Sequence, residues 1–185
     1  MDKVVTGLAI SPAGLVQGAR FVDSPNRDAR PIDAAIALIV IHNISLPPGE
    51  FGGNGVIDLF TNQLNPDEHP YYAQIHPLKV SAHFFIRRDG ELIQFVPCSE
   101  RAWHAGVSRW HGRERCNDFS IGIELEGTDS VTFTEPQYRT LNALLNALKA
   151  TYPISGITGH SDIAPGRKTD PGPYFDWSRI PLAQD

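Results

Sequence analysis

A chain of 185 residues is long enough to form one domain with a full hydrophobic core. Its apolar fraction of 41% is that of a soluble globular protein, and a net charge of -5 without long runs of one sign excludes a broad nucleic-acid or acidic-membrane surface. Two cysteines, Cys98 and Cys116, exclude a disulfide scaffold and read most plainly as free thiols in a reducing cytosol.

In chain order, the stretch from Met1-Asp2-Lys3 lacks a basic leader and is broken by Gly7, Pro12 and Gly14, so no signal peptide is expected. No segment offers the ~20 apolar residues of a membrane span. Residues 1 to 33 read as irregular, ending in the polar run Asp23 to Asp28. Ala34 to Ile41 is an apolar run rich in Ile, Ala and Val, the pattern of a buried central strand. His42 to Gly49 reads as its exit loop, Gly55 to Thr61 as a short helix, and Asn65 to Pro70 as loop. Val80 to Arg87 and Glu91 to Val96 form two strand-like runs joined by Arg88-Asp89-Gly90, a hairpin signal.

Phe119 to Leu125 alternates, with Ile121, Ile123 and Leu125 on one face and Gly122 and Glu124 on the other. A helix is expected from Thr134, where Thr134 and Gln137 match a capping box and Pro136 suits a first turn. Tyr138, Leu141, Leu144, Leu145 and Leu148 give it a core face, and Pro153 closes it. Gly156 to His160 reads as a short strand or turn. The expected fold is a single α/β domain, a mixed sheet with helices packed on its faces.

Three side chains stand where a sheet edge would present them to one cleft. They are His42 after the apolar strand, His160 after the long helix and its turn, and Asp170 in the loop beyond. Two imidazoles and a carboxylate with an open fourth position suit catalytic zinc; ligand type alone also allows ferrous iron. Asp162, two positions after His160, is a rival third ligand or a turn and cap residue. Glu124 sits among apolar neighbours, where a carboxylate is costly unless it is used or paired. It can serve as a general base beside a metal-activated water or pair with a cation such as Arg115. Glu126 shares its face, closer to the Gly127 turn. Lys168 can bring positive charge to an oxyanion, or be a solvated loop lysine. Spacing alone leaves these alternatives open.

Longer stretches carry a resemblance. Val40 to Gly52, Arg101 to Ser108, Gly112 to Gly127 and Gly159 to Pro173 resemble, in order, the motifs of the AmpD family of cytosolic anhydro-N-acetylmuramyl-L-alanine amidases. The likeness runs from residue 22 to 178, leaving 1 to 21 as an N-terminal extension. It implies a peptidoglycan-recognition, phage-lysozyme-like fold, with one zinc on His42, His160 and Asp170. By the same resemblance Glu124 shuttles the proton, the family's lysine falls on Lys168, Asp162 is structural and Glu126 supporting. Asn43, Arg115, Ala164 and Arg167 match substrate-cleft positions, where a guanidinium can grip stem-peptide carboxylates. Lys79 stands where relatives carry arginine, keeping charge but losing the fork, and Gly166 replaces a glutamate. Trp103 is a candidate platform for the ligand or a core residue, while His104, His83 and His69 read as core or as supports behind the ligands. The implied enzyme is cytoplasmic and monomeric, acting on a soluble muropeptide with no nucleic-acid or membrane partner. A binder without catalysis, and an amidase of intact wall, are the competing expectations.

Overall fold

The computed structural model describes residues 7–181. Its strands are β1 (Arg20–Phe21), β2 (Arg27–Ala29), β3 (Leu38–Ile44), β4 (Phe84–Ile86), β5 (Leu92–Gln94), β6 (Glu100–Ala102), β7 (Arg109–Trp110), β8 (Arg113–Glu114), β9 (Ser120–Glu126) and β10 (Gly156–Gly159). Its helices are α1 (Gly55–Phe60), α2 (Pro70–Ile75), α3 (Glu135–Thr151) and α4 (His160–Ile163). Six strands form the main sheet in the order β1-β5-β4-β9-β3-β10. Within it only β4 and β5 run antiparallel; the other pairs are parallel. This is the expected mixed sheet.

A parallel centre must be covered on both faces, and side-chain alternation sorts the residues accordingly. Ile39 and Ile41 of β3, Ile121, Ile123 and Leu125 of β9, and Phe84 and Ile86 of β4 face α3. They meet Tyr138, Leu141, Leu144, Leu145 and Leu148, the helix face expected from spacing. Leu38 and Val40 point the other way, into a cluster with Ala105, Cys116, Phe119 and Ile163. On that same side Phe85, Ile93 and Phe95 pack against Val56, Ile57, Leu59 and Phe60 of α1 and Tyr72 of α2.

Local signals set several boundaries. The Thr134 side chain accepts from the Gln137 N–H while the Gln137 side chain accepts from the Thr134 N–H, the reciprocal capping expected. Gly90 turns the β4–β5 hairpin with φ of 88°, a conformation that glycine adopts without strain.

Other expectations need correction. The strand read as Ala34 to Ile41 instead spans Leu38–Ile44, so His42 lies within the strand, not in its exit loop. Backbone pairing with β9 through Glu126 and with β10 through Gly159 carries the strand past the apolar run. Residues 20 to 29 are not wholly irregular, because β1 pairs with β5 and β2 with β6. Pro70 opens α2 rather than closing a loop; it occupies the first turn, and the His69 side chain accepts from the Tyr71 N–H.

Removing the capping hydroxyl with Thr134→Ala is expected to cost about 1 kcal/mol. In a chain of this size that is a fall in Tm of roughly 2–4 °C, read by thermal denaturation.

Candidate metal centre

The strands deliver their side chains to one end of the sheet. In the register of β3 and β9, His42 stands opposite Glu124, so the two side chains leave the same face as neighbours. β10, on the other flank of β3, ends at Gly159, and His160 begins α4 immediately afterwards. The Ser161 N–H donates to the Asp170 carbonyl at 2.9 Å, folding the following loop back over this end. Ligands of open α/β sheets gather at such carboxyl ends of parallel strands.

Three atoms converge there. His42 Nδ1 lies 3.0 Å from His160 Nδ1 and 3.0 Å from Asp170 Oδ2, and His160 Nδ1 lies 3.2 Å from the same Oδ2. Ligands of tetrahedral zinc at ~2.0–2.1 Å lie roughly 3.3 Å from one another, so this triangle is close to the required size. The Ala105 carbonyl, 3.0 Å from His160 Nε2, can only accept, which puts a proton on Nε2 and leaves Nδ1 bare. A bare nitrogen facing a carboxylate oxygen is unfavourable until a cation is shared between them. Among the described residues this is the one His, Cys, Asp or Glu cluster compact enough to hold a metal.

Electrostatics agree with that donor set. Burial pushes the His42 pKa down to about 4, keeping the imidazole neutral, the form that binds metal. Burial alone would raise Asp170, but the facing imidazoles of His160 and His42 outweigh it and hold the carboxyl below its usual range. Glu124 is driven well above the usual range, first by burial and then by the Asp170 charge. Its Oε2 is buried with no hydrogen-bond partner, a costly state that marks an atom reserved for another group.

The remaining candidates separate clearly. A cleft of about 640 Å³ is lined by His42, Asn43, Trp103, Glu124, His160, Arg167, Lys168 and Asp170. Arg115 and Ala164 line a neighbouring hollow of about 530 Å³, which meets the cleft at Arg167. Lys79 is exposed and lines neither. Arg115 pairs with Asp118 at 3.3 Å, so the alternative of an ion pair with Glu124 is not realised. The Asp162 carboxylate accepts from Thr158 and the Gly159 N–H, the cap role, and stands outside the ligand triangle. Glu126 accepts from the N–H groups of Gly52 and Arg88 and so ties loops to the end of β9.

Sequence reasoning passed over two contributors. Tyr71, Ile75 and Leu78 form an apolar wall of the cleft, in a stretch to which sequence reasoning assigns no element beyond the loop ending at Pro70; the His69-Pro70 cap signal marks the helix. Asp129 accepts from Asn43 Nδ2 at 2.7 Å and from Thr169 Oγ1 at 2.5 Å, joining β3 to the loop that carries Asp170. No periodic pattern announces such a loop residue.

Comparison with known proteins agrees with this geometry. The sequence profile of the N-acetylmuramoyl-L-alanine amidase family matches residues 32–173. The chain belongs to this family. It is 60% identical to the 1,6-anhydro-N-acetylmuramyl-L-alanine amidase AmpD of Escherichia coli K12, over 90% of this chain and 92% of that protein. The crystal structure of a selenomethionine derivative of AmpD superposes with a TM-score of 0.90 at 58% identity, covering 92% of this chain and 96% of that one. A complex of the amidase AmiD from E. coli with anhydro-N-acetylmuramic acid-L-Ala-D-γ-Glu-L-Lys matches with a TM-score of 0.56 at 31% identity, covering 94% and 64%. His42, His160 and Asp170 of this amidase are compatible with one zinc ion.

The site also leans on a missing side chain. A Cβ at Gly122 would lie 2.4 Å from Cγ of His104, whose Nδ1 is 2.9 Å from His42 Nε2. Gly122→Ala is therefore expected to cost about 1–3 kcal/mol by overpacking. Equilibrium denaturation compared with wild type checks this.

Proposed function

We propose that this chain hydrolyses the amide bond between the lactyl group of an (anhydro)muramyl sugar and L-alanine in soluble cell-wall fragments. The observation that carries it is the convergence of two imidazole nitrogens and a carboxylate oxygen beside Glu124, whose Oε2 is buried without a partner. The substrate class follows the names of the AmpD relatives and of the ligand in the AmiD complex.

In this reading His42, His160 and Asp170 hold the ion. When bound, zinc supplies a Lewis acid that polarises the amide carbonyl and lowers the pKa of water towards ~7. Glu124 would take the proton of the attacking water, and burial strengthens its hold on that proton once taken. It later gives that proton to the departing alanine nitrogen. Lys168, on the cleft wall, presents its ammonium to the oxyanion. Asn43, Trp103 and Arg167 contact the sugar and peptide in the cleft, while Arg115 and Ala164 serve a substrate end that runs into the adjoining hollow. Lys79, exposed beyond both, is the weakest member of that set. The chain acts as a single amidase domain. No helix among the described residues is long and apolar enough to cross a membrane, and Cys98 and Cys116 are buried free thiols. Those thiols suit a reducing cytoplasm.

Zinc-loaded protein incubated with anhydro-muramyl tripeptide is expected to release free peptide. Chelation should abolish release and added zinc should restore it. Intact zinc binding without release would leave a muropeptide binder, and equal activity on whole wall would make the enzyme a lytic one. Lys168→Ala is expected to lower turnover by about 10²–10³ while zinc content stays unchanged. Near-normal turnover would remove Lys168 from the chemistry.

A further inference from the structure

The two histidines of the centre are supported by unlike partners. His160 Nε2 faces a carbonyl, which dictates its tautomer without ambiguity. His42 Nε2 faces a second imidazole instead. It lies 2.9 Å from His104 Nδ1, the rings meeting edge to face with centroids 5.0 Å apart and planes at 89°. His104 Nε2 in turn lies 3.0 Å from Ser120 Oγ, on the buried first residue of β9.

Two proton arrangements satisfy this chain of three groups. In one, the Ser120 hydroxyl donates to His104 Nε2, His104 Nδ1–H donates to His42 Nε2, and a neutral His42 carries its proton on Nδ1. That proton would occupy the atom facing His160 and Asp170, closing it to a cation. In the other, His42 Nε2–H donates to His104 Nδ1 and His104 Nε2–H donates to Ser120 Oγ, leaving His42 Nδ1 bare. The second arrangement is the one that a cation on His42 Nδ1 requires, and we propose that His104 is a positioning residue that accepts the Nε2 proton of His42 and so supports its metal-binding tautomer and ring orientation. The inference rests on the reading of His42 as a zinc ligand.

The seat of the ring is specific. His104 lies over Gly122, where a Cβ would come within 2.7 Å of Nδ1, so no other residue at 122 leaves the ring this place. The backbone below it is pinned as well. The N–H groups of His104 and Ala105 both donate to Asn117 Oδ1, at 3.1 and 2.8 Å. Consecutive residues thus hold both ligating imidazoles, His104 through its ring and Ala105 through its carbonyl.

Metal affinity is the direct readout, since outer hydrogen-bond partners typically change it by ~10–100-fold. His104→Phe keeps a ring but offers no acceptor, whereas His104→Asn returns a carbonyl oxygen near the place of Nδ1. Competition with a chromogenic chelator is expected to show zinc binding weakened ~10–100-fold in His104→Phe and largely recovered in His104→Asn. Nitrogen-15 NMR of the zinc-loaded wild type is expected to find His104 protonated on Nε2 with Nδ1 bare. A proton on His104 Nδ1, or wild-type affinity in a folded His104→Phe, overturns the proposal. The NMR result decides alone if that variant does not fold. Undiminished zinc binding by His42→Ala would instead overturn the assignment of His42 as a ligand.

Discussion

Parallel hydrogen bonding between β3 and β9 runs in unbroken register from Leu38 opposite Ser120 to Ile44 opposite Glu126. Because side chains alternate, a slip of one residue would turn His42 and Glu124 into the face covered by α3 and bring isoleucines to the cleft. The apolar residues between them prevent that slip. Ile39, Ile41, Ile121 and Ile123 are fully buried against α3, so the chemistry on one face is indexed by the packing on the other. Catalytic geometry is in this sense a by-product of hydrophobic alternation.

Burying polar atoms at the centre of a sheet carries a cost that the local contacts only partly offset. Two nearly inaccessible imidazoles, a partly buried aspartate and a glutamate with an unpartnered oxygen share one end of the strands. Their perturbations differ in direction: His42 is held neutral, Asp170 is held charged, and Glu124 is inclined to keep a proton. Such divergence among adjacent titratable groups marks a functional site more than a structural ion-pair network. Arg101, which bridges Asp28 and Asp118 at 2.7 Å each, shows the contrasting structural case in the same molecule.

Much of this was legible in the amino-acid order, and unevenly so. The α3 helix announces itself through a capping box and a repeating apolar stripe, both of which depend only on residues close in sequence. The alternation of Phe119 to Leu125 likewise sets Glu124 apart from its neighbours before any fold is known. His42, by contrast, was assigned to a loop because the apolar run ends at Ile41; the strand continues through pairing with β9 and β10, and pairing leaves no mark on local composition. Residues 20 to 29 escaped for a similar reason, since β1 and β2 depend on partners more than 70 positions away. Spacing alone could not bring His42, His160 and Asp170 together, and family likeness was needed to choose Asp170 over Asp162. The part played by His104 lay beyond both, since it rests on a ring contact across 62 positions and on the space above Gly122.

The ligand atoms of His42 and His160 meet although 118 positions separate them, and Asp170 joins from a loop that Asp129 ties to Asn43. An ion gripping all three would clasp the last part of the chain to the middle of the sheet, as a cross-link does. Whatever binds only the folded form adds RT ln(1 + [L]/Kd), about 2.7 kcal/mol at a hundredfold excess over Kd. The resistance of this protein to unfolding and proteolysis is thereby linked to the free zinc concentration around it, and metal starvation would shorten its lifetime as well as silence it.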